Sequence, residues 1–348
     1  MKKVLAILVL ALTTSISFAQ DDAPETTPLE ITGSGDLYYK YDFSKTANIG
    51  TSFGTDQNSV SLGMLDIAFK KTIKKVSFVG EVSFGPRGQY QSILNGDGAD
   101  SNEGNSFHIQ NLYASYAVSD KLSLTAGYMG TFIGYEVISP LGNFSYSTSY
   151  LFTNGPFQNA GVKANYKISD KFGAMIGFFN DSWNSYKADP VKGLNAVGGQ
   201  LSFATEGVSA YLNFMDGSVS GTIVDLTATF QLSEKFKLGL NVADFSNEDK
   251  VGYTGAAIYP SYALTDAFSL GLRAEYFQTK ENADALYYGI NPDQSVTAFT
   301  LSGNYKVNGL TIIPEFRLDS NSDEYFVDSD MAPTKSASQV LLAVVYGF

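Results

Sequence analysis

The C-terminal residues alternate between apolar and other side chains, a pattern typical of a β-strand with two different faces. Val340, Leu342, Val344, Tyr346 and Phe348 occupy every second position. Successive side chains of a strand point to opposite faces, so this spacing collects the five residues on one face. A chain that ends on an aromatic residue inside such a pattern is expected to end within a sheet.

The same alternation recurs along the chain in segments of roughly 10 residues, the length that crosses a bilayer as a tilted strand. One segment places five apolar residues on one face: Val224, Leu226, Ala228, Phe230 and Leu232. Its other face is polar: Asp225, Thr227, Thr229 and Gln231. About 16 such segments lie between Ile31 and Phe348, and an even number is usual for single-chain outer-membrane barrels.

Short turns with a shared pattern separate these segments. Four of them read Ser119-Asp120-Lys121, Ser169-Asp170-Lys171, Ser233-Glu234-Lys235 and Thr265-Asp266-Ala267, and aromatic residues flank them at similar positions. Seven short connections, near Ile73, Asp120, Asp170, Glu206, Glu234, Asp266 and Asn308, alternate with eight generally longer ones. Short turns are periplasmic in barrels of this kind, so we expect both termini on the periplasmic side.

The N-terminus has the form of a secretory signal. Lys2 and Lys3 precede the apolar run from Val4 to Leu12, and Ser17-Phe18-Ala19 supplies a small residue for cleavage. We predict a signal peptide at 1–19, a short periplasmic segment at 20–28 and a barrel at 29–348. The apolar run is shorter than the roughly 20 residues that a membrane-spanning helix needs.

Composition agrees with a large antiparallel sheet. The chain has 22 Tyr, 25 Phe and 33 Gly but only 10 Pro and no Cys, and the aromatic residues favour strands. A net charge of −12 disfavours nucleic acid as a partner. A secreted β-sandwich or solenoid also alternates, but no linker divides residues 29–348, which exceed the usual size of one domain. We predict an all-β, transmembrane, antiparallel up-and-down β-barrel of about 16 strands.

Two stretches resemble a known family. They are Gly33-Ser34-Gly35-Asp36-Leu37-Tyr38-Tyr39-Lys40-Tyr41-Asp42-Phe43, and Tyr150-Leu151-Phe152 with Gly155-Pro156-Phe157 leading into Gly161-Val162, Tyr166, Asp170 and Asn180. With them, nearly the whole chain after the signal is similar to the OmpL-like β-barrel porins of Gram-negative bacteria. The resemblance implies diffusion of small solutes across the outer membrane, and it supplies no catalytic residue.

A barrel of 16 strands leaves an aqueous channel unless a loop or plug closes it. We therefore expect a passive channel for small hydrophilic solutes, with a weak preference for cations because the chain is acidic. Charged residues on the polar faces are the pore-lining candidates: Asp36, Lys40, Asp42, Glu81, Lys163, Asp225, Arg273, Glu275, Glu315 and Arg317. Alternatively, Arg273 pairs with Glu275 and Glu315 with Arg317, which would hold the wall together without selecting a solute.

The third long connection, roughly Gly134 to Gln158, follows the fifth strand, where general porins fold a loop into the lumen. Glu136 is its only charge, and it is rich in aromatic residues. The candidates for a constriction are Tyr135, Glu136, Tyr146 and Tyr150. The aromatic rings could form an apolar slide, but packing against the wall is favoured because exposed apolar rings are unfavourable in water.

Other site types have weak support. Two loops are acidic, with Asp97, Asp100 and Glu103 in one and Asp319, Asp323, Glu324, Asp328 and Asp330 in the last, but their spacing matches no calcium-loop pattern. We predict no metal site, no cofactor and no enzyme activity. The single histidine, His108, is expected to face lipid, and no serine motif of the outer-membrane phospholipases lies beside it. A non-conducting adhesin or receptor and a phospholipase-like enzyme are the alternatives.

The expected partners follow from the predicted location. They are outer-membrane lipids with lipopolysaccharide, small hydrophilic solutes, and the barrel-assembly machinery, which would engage the C-terminal strand ending in Phe348. The sequence leaves the oligomeric state open.

Overall fold

The computed structural model describes residues 26–85, 107–181, 193–283 and 289–348. Sixteen strands form one closed antiparallel barrel. Its first eight strands are β1 Glu30–Asp42, β2 Ser59–Ile73, β3 Val76–Phe84, β4 Phe107–Ala117, β5 Leu122–Gly130, β6 Gln158–Lys167, β7 Phe172–Phe179 and β8 Ala196–Ala204. The other eight are β9 Val208–Gly217, β10 Gly221–Gln231, β11 Phe236–Ser246, β12 Gly252–Ala263, β13 Phe268–Thr279, β14 Ser295–Val307, β15 Leu310–Asn321 and β18 Ser336–Gly347.

Along the barrel, each strand pairs with the strands before and after it. A separate two-residue ladder, β16 Phe326–Val327 with β17 Pro333–Thr334, lies in the connection between β15 and β18. The barrel closes where β18 pairs with β1. Gly33 and Phe348 exchange both backbone hydrogen bonds, at 3.1 and 3.0 Å. The predicted up-and-down barrel is confirmed, and the alternating C-terminal segment forms the closing strand.

The two faces of each strand meet different surroundings. Leu342 of β18 and Phe348, directly after this strand, are 47% and 57% exposed on the outer surface. Leu341 and Val345, which point inward, are 3% and 0% exposed. Large exposed apolar side chains cover the outside of the barrel in the same way on the other strands, which is the surface that lipid tails solvate.

Seven short turns close one end of the barrel, at the positions that the sequence predicts. Tyr116, Tyr166 and Tyr262 beside three of these turns are each nearly half exposed on the outer surface. The connections at the other end are generally longer, although 218–220 and 247–251 are short. The predicted signal peptide lies outside the described residues. Near the start of the described chain, Thr27 donates its backbone N–H to Thr72 O of β2 at 3.0 Å.

A β-bulge in β4 corrects one prediction. Glu81 pairs with Asn111 but the next residue, Val82, pairs with Ile109, so Gln110 is an extra residue in the strand. A bulge of this kind shifts the alternation of faces by one residue. His108 therefore points inward opposite Ser83 and is 2% exposed, and the expectation that it faces lipid is wrong.

The connection between β5 and β6, residues 131–157, folds into the barrel, and we call it loop L3. It contains one turn of 3-10 helix, Pro140–Gly142, and the short helix α1, Tyr150–Asn154. Among the described residues, no helix has the length and apolarity needed to cross a lipid bilayer. Loop L1, residues 43–58, lies against L3, since Ser52 N–H donates to Thr153 Oγ1 at 2.8 Å.

Candidate channel interior

Two acidic side chains of the barrel wall bind backbone amides of L3. Glu275 on β13 accepts hydrogen bonds from Tyr150 N at 3.0 Å and Leu151 N at 2.8 Å, at the start of α1. Glu315 on β15 accepts one from Tyr146 N at 2.9 Å. Carboxylates that satisfy free amide donors in a buried site stabilise the loop in one position.

Arg273 forms the strongest link between L3 and the wall. Its Nη1 lies 2.7 Å from Glu136 Oε1, and both side chains are buried. The same guanidinium donates to the carbonyl oxygen and hydroxyl of Ser147 and to Thr300 Oγ1. Glu136 also accepts the Ser149 N–H at 2.8 Å. The single charge of L3 is therefore used to attach the loop.

Arg317 joins L1, L3 and β15. Its Nε and Nη2 bind the two carboxylate oxygens of Asp319 at 2.8 and 2.9 Å, a bidentate pair with both side chains fully buried. Its Nη1 donates to Thr148 O at 2.8 Å and Thr51 Oγ1 at 3.0 Å. The Tyr150 hydroxyl donates to Asp319 Oδ2 at 2.9 Å, and the Tyr150 ring lies 5.3 Å from the guanidinium carbon.

These contacts replace the pairs that the sequence suggests. Arg273 pairs with Glu136 rather than Glu275, and Arg317 pairs with Asp319 rather than Glu315. Asp319 belongs to β15 and points inward, so its placement in the last acidic loop is wrong. Sequence analysis missed it because the strand continues further than the apolar pattern indicates.

Two further inward-facing acids, on β10 and β1, bind L3 and neighbouring strands. Asp225 accepts from Gly134 N at 3.0 Å and from Asn213 Nδ2 and Asn241 Nδ2. Asp36 accepts from the Tyr146 hydroxyl and from Met64 N. These contacts bring L3 against both β10 and β1, on opposite sides of the loop.

The remaining charged residues of β1 and β2 also lie inside. Asp42 accepts the backbone N–H and hydroxyl of Ser44 at 2.9 and 2.7 Å. Lys40 is fully buried. Asp66, which sequence analysis did not select, is buried and accepts the Ser34 hydroxyl. Its alternation with the apolar residues Leu65, Ile67 and Phe69 was the available signal.

The aromatic residues of L3 pack against the wall. Tyr146 and Tyr150 are 0% exposed. The Tyr135 ring stacks on Tyr259 with 4.4 Å between centroids, and its hydroxyl lies over Gly239. A Cβ atom at Gly239 would clash with that hydroxyl, so glycine at this position leaves room for the Tyr135 ring.

Most of the pore-lining candidates are covered. Eight of the ten are at most 7% exposed, under L3 and L1: Asp36, Lys40, Asp42, Asp225, Arg273, Glu275, Glu315 and Arg317. Glu81 and Lys163 are half-buried on a part of the wall that L3 leaves accessible. We call that surface the open wall; its other half-buried inward-facing residues are Ser77, Tyr113, Ser115, Asn165 and Tyr211.

The open wall is polar, and its side chains form hydrogen bonds between neighbouring strands. Asn111 Nδ2 donates to Glu81 Oε2 at 2.5 Å, and the Ser115 and Thr125 hydroxyls lie 2.8 Å apart. Lys163 is the register partner of Thr125. The barrel interior is therefore divided into a half filled by L3 and a half lined by hydroxyl, amide and charged groups.

Within 26–85, 107–181, 193–283 and 289–348, no three or more His, Asp or Glu side chains are placed to hold a metal ion. Asp97, Asp100 and Glu103 lie outside these ranges.

Solved porins share this architecture. The outer-membrane channel DcaP of Acinetobacter baumannii has a TM-score of 0.59 at 14% identity, over 92% of this chain and 97% of that chain. The anion-selective porin of Comamonas acidovorans gives 0.59 at 12% identity, over 93% and 100%. OmpF of Salmonella typhi, in complex with daunomycin, gives 0.58 at 14%, over 92% and 97%. At these identities the likeness shows the fold.

The family is shown by sequence. No protein with a curated description matches the chain at a significant level. The family model described as "Putative beta-barrel porin-2, OmpL-like" matches residues 28–348, which is the whole barrel. The chain therefore belongs to the OmpL-like family of outer-membrane porins.

Proposed function

We propose that the chain conducts small hydrophilic solutes passively between L3 and the open wall. The observation that carries this proposal is the asymmetry of the interior. L3 is bound through Arg273, Glu275, Glu315 and Arg317 on one side, and half-buried polar side chains line the other. A loop fixed against one wall narrows the lumen without dividing it, and the polar lining suits hydrated solutes.

The proposed orientation places the short turns and both termini in the periplasm. The alternation of short and long connections supports it, as does the segment at residues 26–28, which lies beside the short-turn end of β2. Lipid and lipopolysaccharide are the proposed surroundings of the exposed apolar surface. The barrel-assembly machinery is the proposed partner of the strand ending in Phe348, whose ring is exposed on the outer face.

We propose a channel rather than an enzyme, which the porin family supports. A phospholipase acting from the lipid face would need its histidine on that face, whereas His108 points inward and is 2% exposed. The bulge at Gln110 thus removes the placement on which that alternative depends.

The test is single-channel recording of the refolded full chain in planar bilayers. Stable conductance steps that fall in the presence of small uncharged polymers, and return as polymer size increases, would agree with an open polar route. A folded barrel, identified by heat-dependent gel mobility, that gives no steps would refute the proposal. A variant carrying Tyr113→Trp would narrow the lumen beside the open wall, so its single-channel conductance step is expected to be smaller. Tyr276→Trp, on the outer face, is the matched control.

A further inference from the structure

The charges that remain accessible inside the barrel differ in net sign from the buried ones, which include Lys40, Arg273 and Arg317 but more acids than bases. Eight of the buried interior charges are acidic: Asp36, Asp42, Asp66, Glu136, Asp225, Glu275, Glu315 and Asp319. Their hydrogen bonds go to L3, to L1 or to neighbouring strands. They are engaged in holding the structure, so a solute in the remaining lumen does not meet them directly.

Lysines dominate the accessible interior nearer the short turns. Lys237, two residues before Gly239 on the inward face of β11, and Lys306, on the inward face of β14, are exposed. Lys163 is half-buried on the open wall. None of the three forms an ion pair with a carboxylate of a described residue. We call this set of three lysines the vestibule lysines.

Small residues separate two of the vestibule lysines. Lys237 pairs in register with Ser261. Ala263 pairs with Ser269, and Ser269 with Asn304 next to Lys306. The inward-facing residues along this path are small or polar, and Phe144 of L3 lies over Gly271 of β13 beside it. Two like charges facing one aqueous space attract an anion jointly.

Lys163 stands at the end of a row of hydroxyl groups. Its register partner is Thr125, which pairs with Ser115, and Ser115 pairs with Ser77. An ammonium group next to hydroxyl donors can replace part of the hydration shell of an anion. The third lysine therefore lies on the route that the open wall provides.

The other accessible charges inside the barrel leave the net charge of the accessible interior positive. Glu30 and Lys70 are opposite each other in register on the inward faces of β1 and β2, and offset each other. Lys167 is paired with Asp170 in a turn at 2.6 Å. Glu81 is the acid left on the open wall, and Asn111 donates to it. Among the described residues, three unpaired lysines thus face one acid.

We infer that the channel prefers small anionic solutes, and that Lys163, Lys237 and Lys306 are the residues that set this preference. The inference rests on the proposed channel function, and it differs from the weak cation preference that the net charge suggests. The exposed acids of the last long loop, Asp323, Glu324, Asp328 and Asp330, lie in open solvent, where salt screens them over about 10 Å at 0.1 M. Charges inside a narrow protein-walled space act on a permeating ion more strongly.

The experiment measures reversal potentials across a potassium chloride gradient for the full chain in planar bilayers. The wild type is expected to give a chloride-to-potassium permeability ratio above one. The triple variant K163Q/K237Q/K306Q is expected to lower this ratio by about twofold or more. The matched control K121Q/K171Q/K235Q removes the same charge from exposed turns and should leave the ratio unchanged. The triple variant K163R/K237R/K306R should retain the wild-type ratio.

A second readout uses block of the current by inorganic tripolyphosphate. Block is expected to be stronger from the short-turn side, and to weaken in the triple glutamine variant but not in the turn control. A wild-type ratio below one, or equal ratios in the triple glutamine variant and the turn control, would overturn the inference while leaving a channel. Absence of conductance steps in a folded barrel would refute the channel function itself.

Discussion

Replacing Arg273 by methionine should release L3 from the wall. Arg273 donates three hydrogen bonds to L3, one to Glu136 and two to Ser147. Methionine fills part of the volume but leaves the buried carboxylate of Glu136 with only the Ser149 amide as donor. Breaking a buried ion pair by removing one partner costs about 3–5 kcal/mol. Methionine was chosen because it adapts to irregular packing.

That free energy acts mainly on the position of L3, since the backbone pairing of β13 is unchanged. Every 1.4 kcal/mol is about a factor of ten in an equilibrium. The ratio of attached to detached L3 should therefore fall roughly a hundredfold to several thousandfold. Because Glu275 and Arg317 still bind the loop, we expect fluctuation between two levels rather than permanent detachment.

The assay combines single-channel recording with limited proteolysis by chymotrypsin. R273M should show added conductance levels above the wild-type step, and cleavage after the aromatic residues of L3 should become faster. The double variant E136Q/R273M removes the unpaired charge as well and should recover most of the wild-type behaviour. If R273M folds and gives wild-type conductance and cleavage, the Arg273–Glu136 pair does not hold L3 and the reasoning is refuted.

Three further results are expected. Gly271→Ala would place a Cβ atom against the Phe144 ring. The displaced ring should weaken the attachment of L3 by about 1–3 kcal/mol, measurable as faster chymotrypsin cleavage. The control Gly199→Ala, whose Cβ atom would meet Met175 O at an ordinary 3.7 Å, should leave the cleavage rate unchanged. Burial raises the pKa of Asp181, but hydrogen bonds from 218–220 outweigh this effect and hold it below its ordinary value. The ionised Asp181 carboxylate therefore stabilises the fold at neutral pH, and this stabilisation is lost as pH falls through the depressed pKa. Asp181→Asn should lower the melting temperature at pH 7. An equal difference in melting temperature between wild type and variant at neutral and at strongly acidic pH would contradict this. Spin labels at His108→Cys and Ile109→Cys, in a chain without other cysteines, should show greater contact with lipid-dissolved oxygen at 109, and the reverse order would argue against the bulge.

The sequence alone was sufficient for the barrel and its faces. Period-two alternation is a local property, and a bilayer outside with a polar interior gives each face one kind of residue. The segments around Val224 and Val340 therefore indicated their outward faces correctly, and the seven short turns followed from the intervals between segments. The position of L3 after the fifth strand was predicted on the same basis, together with the resemblance to porins.

The sequence could not show which inward charges stay accessible. Alternation places Glu275 and Lys163 alike on inward faces, yet Glu275 binds amides more than 120 residues away in sequence and is covered, while Lys163 is half-buried. The bulge at Gln110 likewise depends on pairing with β3.

The sequence pattern within each segment determined the strands, their number and their outward faces. Each strand has one face toward lipid and one toward the lumen, whatever strands lie elsewhere in the barrel. Tertiary structure decided the partners of Arg273 and Arg317, the inward position of His108 and the separation of covered acids from accessible lysines. Those features depend on where one long loop settles inside the closed barrel, and its binding partners come from strands distant in sequence. The physical reason is that side-chain direction is set by neighbouring backbone, whereas burial of a charge is set by whatever packs over it.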